Sequence, residues 1–204
     1  MMLSSIDPDQ LKDILPSMDS ALQGWPGAQS TFRKIAASLK SAPSLKADLM
    51  AGHADVVALC DQLGLSITDS RPEEGFSWNG RAVAIQTETA VLLHEISHWQ
   101  ICPPARRCLP DFGLGAGPET GLKAEANAAL SVDATTQERE EDLASLLGVL
   151  WEAHLGGPAM IAFCEQNWLE LYDRPGTIAH FVSVYDDLCD RGLIDLQGCP
   201  TAAT

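Results

Sequence analysis

Residues 94–98 read His94-Glu95-Ile96-Ser97-His98, a stretch whose residue types and spacing point directly to chemistry. Histidines four apart on a helix stack on one face, so both imidazoles can bind a single metal ion while the glutamate between them lies beside it. Glu95 is then placed to move a proton at the metal. A catalytic metal generally takes three protein ligands and keeps a position open, so a further donor must come from outside the motif. The extended pattern with a third histidine is excluded, because Pro104 stands six residues past His98 and Ile101 stands where that pattern has glycine. A carboxylate is the remaining common solution, with Asp111, Glu119, Glu125, Glu138, Glu140 and Glu141 as candidates. The acidic run 138–142 opens a helix that continues with Leu143, Leu146, Leu147 and Leu150, and helical geometry puts Glu140 nearer this leucine stripe than Glu141. Acidic residues in a first turn also simply complement the helix dipole and stay solvated.

The elements that must position these residues can be read in outline. Residues 1 to about 65 read as helical, with apolar residues at three- and four-residue spacing in Phe32, Ile35, Ala36 and Leu39 and again in Leu49, Val56, Val57, Cys60 and Leu63, separated at Pro43-Ser44. Phe76-Ser77-Trp78, Asn79-Gly80 and Arg81 to Ile85 read as strand, type I′ turn and strand, a small β-hairpin. Thr87 is the expected cap of the amphipathic HExxH helix, which must stop near Pro103-Pro104, where the backbone donor is lost twice. Residues 103–118, rich in Pro and Gly, form a long connection of the kind used as lids or binding loops. Further helices are expected near 119–131, 137–155, 159–172 and 176–190, the second opened by a Thr135/Glu138 capping box and closed at Gly156-Gly157.

Composition bounds what these elements can serve. The 204 residues are 46% hydrophobic, with 28 acidic against 13 basic side chains and a net charge of −15. So acidic a chain, with adjacent basic pairs only at Arg33-Lys34 and Arg106-Arg107, argues against nucleic acid as a partner. The sequence lacks an apolar run of about 20 residues and the layout of a signal peptide at its start, so no membrane association and a cytoplasmic location are expected. The six cysteines include no CxxC pair and read as reduced, mostly core thiols. His53, His154 and His180 read as structural histidines, Trp25, Trp78, Trp151 and Trp168 as packing residues, and Trp99 as a buttress of the metal helix.

From residue 94 onward the chain resembles the bacterial elongation factor P hydroxylase family, whose members carry an HExSHW core, then Ala-Arg-Arg, then Asp-(Phe/Tyr)-Gly. The matching stretches are 94–99, Ala105-Arg106-Arg107, Leu109, Asp111-Phe112-Gly113 and Pro118, with looser echoes in 133–137, Glu141-Asp142 and Arg174-Pro175. After Asp-Phe-Gly the family continues with an aromatic stretch and Pro-Asp-Gly-Arg, whereas this chain has 114–117 rich in glycine and then Pro118-Glu119-Thr120-Gly121. The resemblance implies a zincin-like scaffold with a two-histidine-one-carboxylate metal site, Glu141 as the best-matching carboxylate, and a translation-factor lysine as substrate. Two histidines and a carboxylate with open positions also suit non-haem Fe2+ chemistry, so the metal is Fe2+ or Zn2+.

These readings combine into an α+β, mainly α-helical, zincin-like fold with a small β-hairpin before the HExxH helix. An N-terminal helical region covers residues 1–65, a metal-binding region residues 66–192 and a tail residues 193–204, together one compact domain. One divalent ion is held by His94, His98 and Glu141, with Glu140 as the alternative, and Glu95 is the catalytic group. Arg106 and Arg107 are candidates for holding a substrate carboxylate or for salt bridges to Asp111 or Glu119, and Asp111 for fixing the loop or orienting a ligand histidine. A hydroxylase acting on a protein or amino-acid side chain is favoured. The alternative is a zinc peptidase that aligns its substrate along the strand Ala82 to Ile85, and behind it a metal-stabilised interaction module with Cys102 and Cys108 as ligands.

Overall fold

Prolines at helix starts and glycines at helix ends punctuate this chain into a mainly helical fold. The computed structural model describes residues 8–41 and 52–202, so the separation expected at Pro43-Ser44 and the helical position of Leu49 lie outside the described residues. Eight α-helices and a two-stranded sheet are formed among them. They fall into two compact units.

The first unit comprises α1 (Pro8–Ala21), α2 (Pro26–Ala37), the end of α6 (Ala134–His154), α7 (Ala159–Glu165) and α8 (Pro175–Asp190). Pro26 and Pro175 occupy the first turn of their helices, where a missing N–H costs nothing. The core is aromatic: Phe32, Phe163, Phe181 and Trp168 meet with ring centroids about 6 Å apart. Trp25, read from sequence as a packing residue, is 45% exposed. The helix expected over 159–172 ends at Glu165, because Asn167 and Leu171 adopt left-handed backbone (φ 65° and 56°) that an α-helix cannot continue through. The segment expected as a tail is an ordered turn through residue 201. Leu193 and Ile194 are buried, Ile194 bridges Pro200, and the Thr201 N–H bonds the Leu193 carbonyl at 2.9 Å.

The second unit holds α3 (His53–Leu63), β1 (Ile67–Thr68), β2 (Val83–Ala84), α4 (Thr89–Ile101), α5 (Lys123–Ala128) and the first two-thirds of α6. The expected hairpin is reduced to a single antiparallel bridge between Trp78 and Val83. Asn79 turns the chain with its own side chain, its Oδ1 accepting the N–H groups of Arg81 and Ala82. The sheet proper is parallel, with Ile67 opposite Val83 and Thr68 opposite Ala84.

α4, which carries the histidines, begins at Thr89 after a cap position held by Glu88 rather than Thr87, and it stops at Ile101 ahead of the two prolines. It is less amphipathic than its sequence suggests, since the side chains from Leu92 to Ile101 are buried around most of the helix and only His94 and Trp99 among them are half-buried. The 103–118 connection is folded, with 3-10 turns at Pro104–Arg106 and Pro110–Gly113. α6 begins three residues earlier than expected. Its first-turn donor is satisfied by Asp133, whose Oδ1 accepts the Thr136 N–H at 2.8 Å, in place of a Thr135/Glu138 box. It ends as expected, with Gly156 at φ 80° and the Gly157 N–H returning to the Glu152 carbonyl. Of the six cysteines, all free, only Cys60 and Cys102 are buried, so most of the thiols lie outside the core.

Candidate metal centre

One helical turn on α4 brings the His94 and His98 Nε2 atoms to 3.0 Å from each other. Glu141 Oε2, from the first turns of α6, lies 3.3 Å from His94 Nε2 and 3.4 Å from His98 Nε2. Donors bonded at about 2.1 Å to one cation stand roughly 3.0 Å apart at right angles and roughly 3.4 Å apart at tetrahedral angles. The three edges of this triangle fall in that interval, so the group could hold a metal ion. Three lone-pair donors converging this closely also need a proton or a cation between them to relieve their repulsion. Exposure rises across the group, from 5% for His98 and 23% for His94 to 47% for Glu141, so the side of the triangle that Glu141 borders faces solvent.

What holds each donor in place differs. His98 stacks on Phe112, ring centroids 5.8 Å apart, and Phe112 stacks in turn on Trp78 at 5.1 Å with the planes 8° from parallel. The His98 Nδ1 atom is buried with no hydrogen-bond partner among the described residues, so stacking orients this imidazole where a carboxylate or carbonyl more commonly does. The stack is reached through unusual backbone: Asp111, Phe112 and Gly113 are consecutively left-handed, with φ of 42°, 55° and 70°. Two non-glycine residues in that region store strain, which persists only where the surroundings over-determine it. Asp111 supplies that determination. Its Oδ1 accepts the Trp78 N–H, its Oδ2 accepts the Thr120 hydroxyl at 2.7 Å, and its own N–H bonds the Trp78 carbonyl. Burial pushes the Asp111 carboxyl up, partly offset by these hydrogen bonds. Of the two roles expected for Asp111, loop fixation is the one its hydrogen bonds display.

Glu141 is placed by the approach of α6 to α4. Gly148, two turns further along α6, lies so close that an added Cβ would stand 3.2 Å from the backbone N and Cα of His94. Burial alone would raise the Glu141 carboxyl, but hydrogen bonds to both imidazoles and their charge hold it well below the ordinary carboxylate range. Glu140 is buried beneath the leucine stripe as helical geometry requires, yet its carboxylate pairs with Arg106 and not with the histidines. Arg106 also donates to the Phe112 carbonyl at 3.0 Å. One guanidinium therefore ties α6 to the loop that carries the His98 stack. Arg107 donates to the Cys102 carbonyl and lies 4.1 Å over the Trp99 ring. Neither arginine bridges to Asp111 or Glu119, and both are engaged in holding the loop.

Removing one partner of a buried pair strands the other. Arg106→Met is expected to lower unfolding free energy by about 3 kcal/mol, measured by denaturant titration, with the Arg106→Met/Glu140→Gln double variant recovering at least half of the loss.

Glu95 is buried next to the centre. Desolvation pushes its carboxyl up to about 8, opposed by the charge of His98 and reinforced by Asp111, Glu141 and Glu119. On the N-terminal side of the same helix, a cavity of about 840 Å³ is bordered by Val91, one turn before His94, by the acids Asp69, Glu73, Glu74, Glu88 and Glu119, and by Arg71. Cys102 and Cys108 are absent from the donor group, their Sγ atoms resting against the Pro103 and Ala105 carbonyls.

The Trp78–Phe112 stack, the Arg106–Glu140 pair and the Gly148 approach were not read from sequence. A signal existed only for Gly148, a lone glycine inside a leucine-rich helix, seven residues after a candidate ligand. No helix among the described residues is long and apolar enough to cross a membrane. No protein-family model, curated protein or solved structure matches the chain.

Proposed function

We propose that this protein is a zincin-like, metal-dependent hydroxylase, similar to the elongation factor P hydroxylases, which acts on a basic side chain of a protein or peptide. The observation that carries the proposal is the convergence of His94, His98 and Glu141 on one point with an open outer side. A divalent iron bound there supplies dioxygen activation, whereas zinc supplies a polarised water. His94, His98 and Glu141 hold the ion. Glu95, kept dry beside them, moves a proton at its own carboxyl oxygens, and the Trp78–Phe112 stack shields the inner side from water. The acid-lined cavity one turn away on α4 favours a cationic substrate group over an anionic one.

A hydrolytic reading is favoured by the buried carboxyl of Glu95 in the position of a general base. Against it stands the sheet. The N–H groups of Val83, Ala84 and Ile85 are taken by the carbonyls of Ser66, Ser77 and Thr68, so the strand expected to align a peptide has neighbours on both sides.

Fe2+-loaded protein incubated with lysine-containing peptides and ascorbate as two-electron reductant under isotopically labelled dioxygen is expected to transfer one labelled oxygen atom to the peptide, the other leaving as water, read by mass spectrometry. His94→Ala protein transfers none. Peptide cleavage by Zn2+-loaded protein that is lost in Glu95→Gln, without oxygen transfer, replaces the proposal with a peptidase.

A further inference from the structure

Away from the metal centre, Lys34 Nζ on α2 stands 2.7 Å from Cys199 Sγ in the turn after α8. Amide hydrogen bonds to oxygen cluster near about 2.9 Å, and sulfur, being larger, ordinarily sits several tenths of an ångström further out. The observed separation is too close for a relaxed N–H···S contact. It matches the span of two single bonds through one bridging atom, about 2.7 Å for N–O–S.

The contact is built into the fold. Gly198, at φ 70°, presses against α2 so tightly that a Cβ there would collide with Thr31, one turn before Lys34. Asp195 Oδ1 accepts the N–H groups of Gln197 and Cys199 and fixes the turn around the thiol. Cys199 is only partly buried, so a small oxidant reaches it.

We propose that Lys34 and Cys199 form a reversible oxidative cross-link in which one oxygen atom bridges Nζ and Sγ. Hydrogen peroxide serves as oxidant. The thiol S–H bond and one N–H bond of the neutral amine break, and S–O and O–N bonds form. Two peroxide molecules accept four electrons, two from sulfur and two from nitrogen; one peroxide oxygen stays in the bridge and the other three leave as water. A dithiol reductant reverses the change, two molecules returning the four electrons while the bridging oxygen leaves as water. The bridge pins the C-terminal turn to α2 across a sequence separation of 165 residues.

The test treats the reduced full-length protein with hydrogen peroxide and follows intact mass. A gain of about 14 Da, one oxygen added and two hydrogens lost, is expected, mapped to a cross-linked peptide pair carrying Lys34 and Cys199 and erased by dithiothreitol. The gain disappears in Lys34→Arg and in Cys199→Ser and persists in Cys189→Ser. Oxidation also raises the thermal midpoint of the unaltered chain by about 5 °C or more, a shift that both cross-link variants lose while their circular dichroism remains unchanged. A loss of about 2 Da, which marks a disulfide or a direct N–S bond, overturns the proposal, as does a gain of about 32 Da confined to Cys199 or a gain that survives Lys34→Arg.

Discussion

His98→Ala is expected to lower the affinity for a divalent cation by at least about 100-fold, because one of three first ligands is lost where even outer partners are worth about 10–100-fold. Titration of Zn2+ against a chromophoric chelator measures it directly. The same loss has a stability signature. A cation at about 100 times its dissociation constant stabilises the folded chain by about 2.7 kcal/mol, so adding metal should raise the thermal midpoint of the unaltered chain and leave that of His98→Ala unmoved. Glu141→Gln should behave like His98→Ala. Glu140→Gln should keep metal affinity within a few-fold while lowering stability, because its carboxylate belongs to the Arg106 pair. The opposite result for this last pair of variants would exchange the ligand and the structural residue.

Phe112→Ala is the second large effect. The side chain is 1% exposed and its ring is sandwiched between Trp78 and His98, so truncation leaves a cavity against a ligand imidazole. A cost of about 4 kcal/mol in unfolding free energy is expected for an aromatic removed from such a position, measured by denaturant titration of chelator-treated protein. Because stacking is what orients His98, cation affinity should fall by about 10-fold in the same variant. A stability change below about 1 kcal/mol would show that the loop relaxes into the space, and an unchanged cation affinity would show that the stack orients nothing.

The sequence makes the HExxH helix legible because a spacing of four on a 3.6-residue turn admits few interpretations, and because two prolines stop the helix whatever surrounds it. The choice between Glu140 and Glu141 is not legible in the same way. Adjacent helical positions differ by about 100°, and which one meets the histidines depends on where the neighbouring helix lies and on an arginine from a distant loop. Burial of Glu140 follows from periodicity; its partner does not. The sheet eludes the sequence for another reason. Strands of two residues are too short to display alternation, and Asn79 replaces the expected type I′ turn with a side-chain-bonded one. The left-handed backbone at Asp111 and Phe112 carries no local signature, since only the third residue of that run is glycine, and it is Asp111's bonds to Trp78 and Thr120 that impose it.

The hydrogen-against-backbone approach at Gly148 has a bearing on ion choice. With no compressible side chain between the two helices there, the aperture of the donor triangle is set by main-chain contact. One edge of that triangle spans a single helix and does not depend on helix separation, whereas the two edges reaching Glu141 stretch together if the helices separate. Small cations with bonds of about 2.1 Å then lose more than Ca2+, whose oxygen ligands stand about 2.4 Å away. Discrimination among metals would thereby be governed from a glycine two turns past Glu141 on α6, packed against the backbone of His94.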